Sequence, residues 1–166
     1  MSAPSKPISR AANESRQVTF GTGERHGSIT TPDGRSIAMD IWVGRRTASV
    51  TLSGQLGING CINESQLNFN RQNRNSDGNY DFGPVVTDPD TVRFISRMRN
   101  HYVDDNIDVE HFRLNAQPNG RRDILTIYVC SRRAVSPLGA NVEDLCRQWG
   151  HYAWTEAYQI YGQATA

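Results

Sequence analysis

The stretch GSITTPDGRSIAMDIWVG, residues 27–44, alternates apolar and polar side chains on both sides of a turn signal. Ile29 and Thr31 precede Pro32-Asp33-Gly34, and Ile37, Met39, Ile41 and Val43 follow at every second position. Side chains of a strand point alternately to two faces, so this spacing predicts a β-hairpin with one apolar face and with Asp40 and Trp42 on the other. A second turn, Gly44-Arg45-Arg46, leads to Val50 and Leu52. At least three antiparallel strands, buried on one side, are therefore expected.

Further along, Asp88-Pro89-Asp90 carries a helix start: an acid able to cap, a proline where its missing N–H does no harm, and a second acid facing the helix dipole. Phe94, Ile95, Met98 and Tyr102 then share one helical face, while Arg93 and Arg97, four residues apart, project from another. Ile107 and Val109, then Phe112 and Leu114, alternate as strands do, with a slip of phase at Glu110-His111 that predicts a bulge or two different exposures. After the turn Gln117-Pro118-Asn119-Gly120, residues 124–130 (ILTIYVC) are apolar on both faces and read as a central strand covered on two sides.

Asn141 can cap a last helix running from Val142 to about Tyr161. At 100° per residue, Val142, Leu145, Cys146, Trp149, Ala153, Ala157 and Ile160 make an ordinary core stripe. Trp154, Tyr158 and Tyr161 form a second, aromatic stripe, which is more apolar surface than a one-sided helix needs. Large aromatics are enriched at protein interfaces, so homo-oligomerisation through this helix is expected, with Trp149, Trp154, Tyr158 and Tyr161 as the interface residues.

These elements predict an α+β fold: an antiparallel β-sheet with one central helix (about 89–102) and one C-terminal helix (about 142–161). Residues 17–166 are read as a single domain, of ordinary size for one core. Residues 1–16, polar and carrying two prolines, read as a flexible arm that orders against a partner.

Composition removes several kinds of chemistry. Seventeen arginines stand against one lysine, Lys6, which lies in that arm. Schiff-base and pyridoxal enzymes, P-loop NTPases, protein kinases and Lys-dependent nucleases all need a lysine on a rigid element. The formal charge of +1 hides arginine pairs at 45–46, 121–122 and 132–133 and an acidic run over 104–110. Arginine is weakly hydrated and binds phosphate or carboxylate in a planar fork, although a GC-rich coding sequence also favours it. Cys61, Cys130 and Cys146 cannot all pair and show no metal or redox spacing, so reduced thiols are expected. No apolar leader and no run of about 18 apolar residues is present. The expected location is cytoplasmic or within a virion, with no membrane partner.

Residues 66–83, QLNFNRQNRNSDGNYDFG, alternate amides with arginine and aromatic residues around the turn Asn75-Ser76-Asp77-Gly78. A protruding hairpin is expected there, and its mixture of amide edges, guanidinium planes and rings suits single-stranded RNA. Arg71 and Arg74 on this loop, with Arg93 and Arg97 on the helix, are the candidate nucleic-acid contacts.

His101, Asp104, Asp105, Asp108, Glu110 and His111 are the one dense titratable cluster, and they could serve a metal-dependent hydrolase or nuclease only if a bulge turns them together. Cys146 and His151 stand about 140° apart on one helix and cannot act as nucleophile and base. Gly21-Thr22-Gly23 precedes no capped helix, and no G-x-S-x-G occurs. No catalytic residue, metal or cofactor is assigned.

In outline, strands followed by a terminal helix that packs on a partner resemble the coat proteins of single-stranded RNA phages, although the helix after Asp88 interrupts that order. The expectation is a non-enzymatic, self-assembling structural protein, coat-like and in contact with RNA. The alternatives are an RNA- or protein-binding module, monomeric or dimeric, and the metal-dependent enzyme.

Overall fold

The computed structural model describes residues 20–67, 69, 74–104, 107 and 109–162. The arm expected over residues 1–16 lies outside them, as do Arg71, Asp105 and Asp108. The elements are β1 (Gly23–Thr30), β2 (Ser36–Val43), β3 (Thr47–Gly54), β4 (Ile62–Asn63), α1 (Pro89–Val103), β5 (His111–Gln117), β6 (Asp123–Cys130) and α2 (Val142–Gly162). The strands form one six-stranded sheet in the order β1-β2-β3-β6-β5-β4, antiparallel throughout. With both helices, this is the α+β fold expected from the sequence.

The β1–β2 hairpin pairs Ile29 with Ile37 and Gly27 with Met39, so the alternation in sequence becomes one buried face. The turn closes through Thr31, whose Oγ1 accepts a hydrogen bond from Arg35 N at 2.8 Å. Gly34 takes the left-handed conformation, φ 91°, that a side chain would oppose. Burial alternates strictly along β2 and along β5. Ile107 and Val109 are buried, as are Phe112 and Leu114, so the phase slips between them. The slip is visible at Tyr102, whose hydroxyl donates to the consecutive carbonyls of Val109 (3.0 Å) and Glu110 (3.2 Å). Consecutive carbonyls of a regular strand point apart, and here both point to one donor.

Both helices lie on the buried face. The carboxylate of Asp88 caps α1 by accepting from Asp90 N, with Pro89 at the first position. Arg35, at the entry to β2, holds that start in place: its guanidinium reaches Asp88 at 2.7 Å and Asp90 at 3.1 Å. The side chain of Asn141 caps α2 by accepting from Asp144 N at 3.1 Å. The seven-residue core stripe of α2 is buried as expected. Two polar contacts join the helices inside the core: Thr91 with the Tyr161 hydroxyl at 2.7 Å, and His101 with Glu156 at 2.6 Å. The His101 ring also stacks on Tyr152, with centroids 4.2 Å apart.

One expectation needs correction. In β6, Asp123, Leu125, Ile127 and Val129 are buried whereas Ile124, Thr126, Tyr128 and Cys130 are exposed or half-exposed. Among the described residues nothing covers its second face, since both helices occupy the same side of the sheet; a central antiparallel strand can keep one face toward water. The hairpin expected over 66–83 lies partly outside the described residues, which omit 68 and 70–73. Its tight turn is present, with Asn75 N bonded to Asn79 O at 2.8 Å and Arg74 bridged to Tyr80. Leu67, Tyr80 and Phe82 are buried, and the Phe69 ring meets Tyr80, Phe82 and Phe112 edge to face at 5.3–5.9 Å. Aromatic burial holds these described residues against the sheet.

Candidate assembly surface

The four expected interface aromatics of α2 divide into two pairs. Trp149 and Tyr161 are each 0% exposed. Tyr161 packs on Phe94 of α1, and burial pushes its phenol up from its ordinary range. These two residues belong to the chain's own core and cannot present their side chains to a partner, which corrects the expected interface set. The reason is that α1 covers the side of α2 that carries Tyr161. Trp154 and Tyr158 lean the other way, over β1, and remain half-buried.

Their seat on β1 is Gly27. A Cβ at that position would lie 2.7 Å from the Tyr158 hydroxyl and 3.0 Å from the Trp154 ring, so only glycine lets the two rings lie this close to the strand. Phe20 abuts the same patch, edge to face with Trp154 at 5.9 Å and with His151 at 4.9 Å. The Arg25 guanidinium lies over Phe20, 3.9 Å from its centroid. Burial, and then the Arg25 charge, lower the His151 pKa below the usual histidine value.

On the opposite face of β1, His26 hydrogen-bonds Asp40 and lies 3.6 Å from Glu24. The Asp40 hydrogen bond and charge, followed by Glu24, raise the His26 pKa above its ordinary value. β1 is the first strand of the sheet order and pairs with β2. Among the described residues nothing continues the ladder beyond its outer edge. The other edge strand, β4, has two residues.

The expected nucleic-acid contacts are scattered. Arg74 is engaged with Asp104, at 3.2 Å through Nη2 and closer through Nη1, and with Asn100 at 3.0 Å. The Asp104 hydrogen bond raises its pKa. Arg93 is exposed and lies 3.9 Å from Asp90, and Arg97 is half-buried. Arg71 lies outside the described residues.

Of the acidic run, Asp104 and Glu110 are described, and each meets arginine. Asp104 is held by Arg74. Glu110 accepts from Arg132 N at 3.1 Å and lies 3.5 Å from the Arg133 guanidinium. Among the described residues no group of three His, Cys, Asp or Glu side chains is placed to hold a metal ion, and no helix is long and apolar enough to cross a membrane. Cys146, buried beside α2's neighbours, has its thiol pushed up to about 12.

Sequence reading missed that β1 is an edge strand among the described residues, because an alternating pattern reports which face of a strand is buried and not which strands flank it. Comparison with protein-family models, with curated proteins and with solved structures finds no match to this chain.

Proposed function

We propose that the chain is a non-enzymatic structural subunit that assembles with copies of itself, in the manner of a viral coat protein, through β1 and the aromatic pair above it. The observation that carries this reading is the eight-residue edge strand β1, unpaired on its outer side among the described residues and flanked by half-exposed Trp154 and Tyr158. A long open edge presents a row of backbone donors and acceptors, and native proteins usually cover or shorten such edges. β4, at the other end of the sheet, is short in just this way.

The strand is suited to a two-fold contact. An antiparallel pairing centred on Gly27 sets Gly27 opposite its copy, His26 opposite Ser28 and Arg25 opposite Ile29. No like charges then meet directly. The same axis brings Trp154 and Tyr158 of both copies over the junction, where rings combine apolar area with polar tips.

The test is size-exclusion chromatography with light scattering over a range of concentrations, recording absorbance at 260 and 280 nm. The parent chain is expected to elute as a multi-subunit species. Trp154→Ala/Tyr158→Ala and, separately, Ser28→Lys are expected to shift it toward the monomer with unchanged circular dichroism. A parent that stays monomeric at several hundred micromolar overturns the proposal.

A further inference from the structure

The β3–β6 pairing joins two arginine pairs that lie far apart in sequence. Thr47, the first residue of β3, pairs with Cys130, the last of β6. The turn before β3, Arg45-Arg46, and the exit from β6, Arg132-Arg133, therefore meet at one corner of the sheet. Two hydrogen bonds lock them together: Arg46 Nη1 donates to Arg132 O at 2.8 Å, and Ser131 N donates to Arg46 O at 2.9 Å. All four side chains are exposed.

Four other arginines are already engaged. Arg35 is held by aspartates, Arg74 by Asp104, Arg113 by Glu64 and Arg147 by Glu143. At the corner, Arg45 and Arg132 have no acid partner among the described residues, and Arg133 shares Glu110 with the Arg132 backbone. The acids nearby are Glu110, Glu143, which lines a cleft of about 430 Å³ with Trp42, Gly44 and Arg45, and Glu24, paired across from Trp42.

The uncovered face of the sheet begins at this corner. The register places Trp42 opposite Ser49, Ser49 opposite Tyr128, and Tyr128 opposite Arg113, so these side chains form one row across four strands. Trp42 is 46% exposed, and Tyr128 is half-exposed. Neighbouring strands lie about 4.8 Å apart, which puts the two rings about 10 Å from each other with a hydroxyl between them. The next row, Asp40, Thr51, Thr126 and Asn115, supplies further hydroxyl and amide groups.

We infer that this corner, Arg45, Arg46, Arg132 and Arg133 with the Trp42–Tyr128 row beside it, binds single-stranded nucleic acid. Guanidiniums neutralise phosphates as planar, weakly hydrated donors, and exposed ring faces take unstacked bases, which a duplex does not offer. An acidic peptide would satisfy the arginines but leave Trp42 uncovered. Every residue involved belongs to one chain, so the inference does not depend on self-assembly.

The experiment is fluorescence anisotropy of a labelled 20-nucleotide oligouridylate with the full chain, repeated with oligothymidylate, a duplex of equal length, polyglutamate and anionic vesicles as competitors. Four phosphate contacts on a single strand give a slope of about −2.8 in log affinity against log salt, roughly a fifty-fold loss between 50 and 200 mM. Arg132→Ala/Arg133→Ala is expected to halve that slope, and so is Arg45→Ala/Arg46→Ala. Trp42→Ala is expected to weaken binding about five- to hundred-fold, the worth of one stacked base. Arg121→Ala/Arg122→Ala, an exposed pair at the opposite end of β6, should leave binding unchanged. Preference for uridylate over thymidylate assigns RNA; equal binding assigns either single strand.

No binding by the parent chain overturns the inference, as does affinity insensitive to both arginine pairs or stronger competition by polyglutamate or vesicles. Light scattering on the same samples separates the two proposals. Variants that assemble normally but lose the oligonucleotide support the corner, whereas a monomeric parent that still binds it removes only the assembly reading.

Discussion

Gly150 sets two physical effects of similar size against each other, and the depth of α2 on the sheet decides between them. Replacing a helix-interior glycine by alanine ordinarily stabilises by about 1 kcal/mol through backbone entropy. A buried methyl group adds up to about 0.8 kcal/mol of transfer energy. Here the new Cβ would stand 2.7 Å from Val43 Cγ2 and 3.5 Å from Ile41 Cγ2. Carbon atoms prefer about 3.5–4.0 Å, so the Val43 contact is about 1 Å too close. Val43 and Ile41 are 1% and 2% exposed and sit on the rigid β2, so neither can retreat into solvent. Overpacking of this kind costs typically 1–3 kcal/mol.

A Cβ held 2.7 Å from a buried β-branched side chain on a strand puts the clash near the upper end of that range, about 3 kcal/mol, so Gly150→Ala is expected to be destabilising by roughly 1 kcal/mol, opposite in sign to its helix propensity. Val43→Ala, which removes the clashing methyl, should rescue it: in a double-mutant cycle the pair is expected to couple by about 1–2 kcal/mol. Urea denaturation followed by tryptophan fluorescence reads this directly, because Trp149 adjoins the site in the core. A stabilised Gly150→Ala, or additive single effects, would refute the close approach of α2 to β2.

Two further outcomes follow from titrating groups. Cys61 is exposed and Cys146 is buried with its thiol pushed up to about 12, so a thiol reagent at pH 8 should modify Cys61 rapidly and Cys146 only on unfolding; rapid labelling of Cys146 in the folded chain would contradict its burial. In an NMR titration of the imidazoles, His26 should titrate above the ordinary histidine value and His151 below it. Because the folded pKa of His26 is raised, its pairing with Asp40 favours the fold fully below about 6.5 and is lost as pH rises through the raised value. Asp40→Asn should return His26 toward 6.5, and a His26 titration unaltered by that change would refute the pairing.

What the sequence made legible is local chemistry. Pro32-Asp33-Gly34 marks a turn, Asp88-Pro89-Asp90 and Asn141 mark helix starts, and each signal is complete within a few residues, so each appears where the residues place it. The slip at Glu110-His111 was legible for the same reason. What needed long-range packing was not. Ile124, Tyr128 and Cys130 make β6 apolar on both faces, yet apolar side chains cover much of any protein surface, and composition alone does not separate a covered face from an open one. Tyr158 and Tyr161 differ by about 60° around α2, a small angle in a helical wheel. α1 lies on one side of that angle, so Tyr161 bonds Thr91 inside the core while Tyr158 rests on the edge strand.

The same long-range logic relates the two proposed surfaces. β1 begins at the end of the sheet that carries the arginine corner, since Gly23 pairs with Val43, next to the Arg45-Arg46 turn. Its last residue, Thr30, lies at the far end. An antiparallel contact between two copies of β1 therefore sends the two arginine corners to opposite ends of the joined edge, with the uncovered faces on the same side. Repulsion between the corners is small at that separation, because an eight-residue strand spans about 26 Å and charges that far apart are screened at physiological salt. Assembly and strand binding would thus neither compete for residues nor oppose each other electrostatically. An oligonucleotide short enough to occupy one corner should leave the subunit equilibrium unmoved, and one long enough to reach both corners should favour the pair.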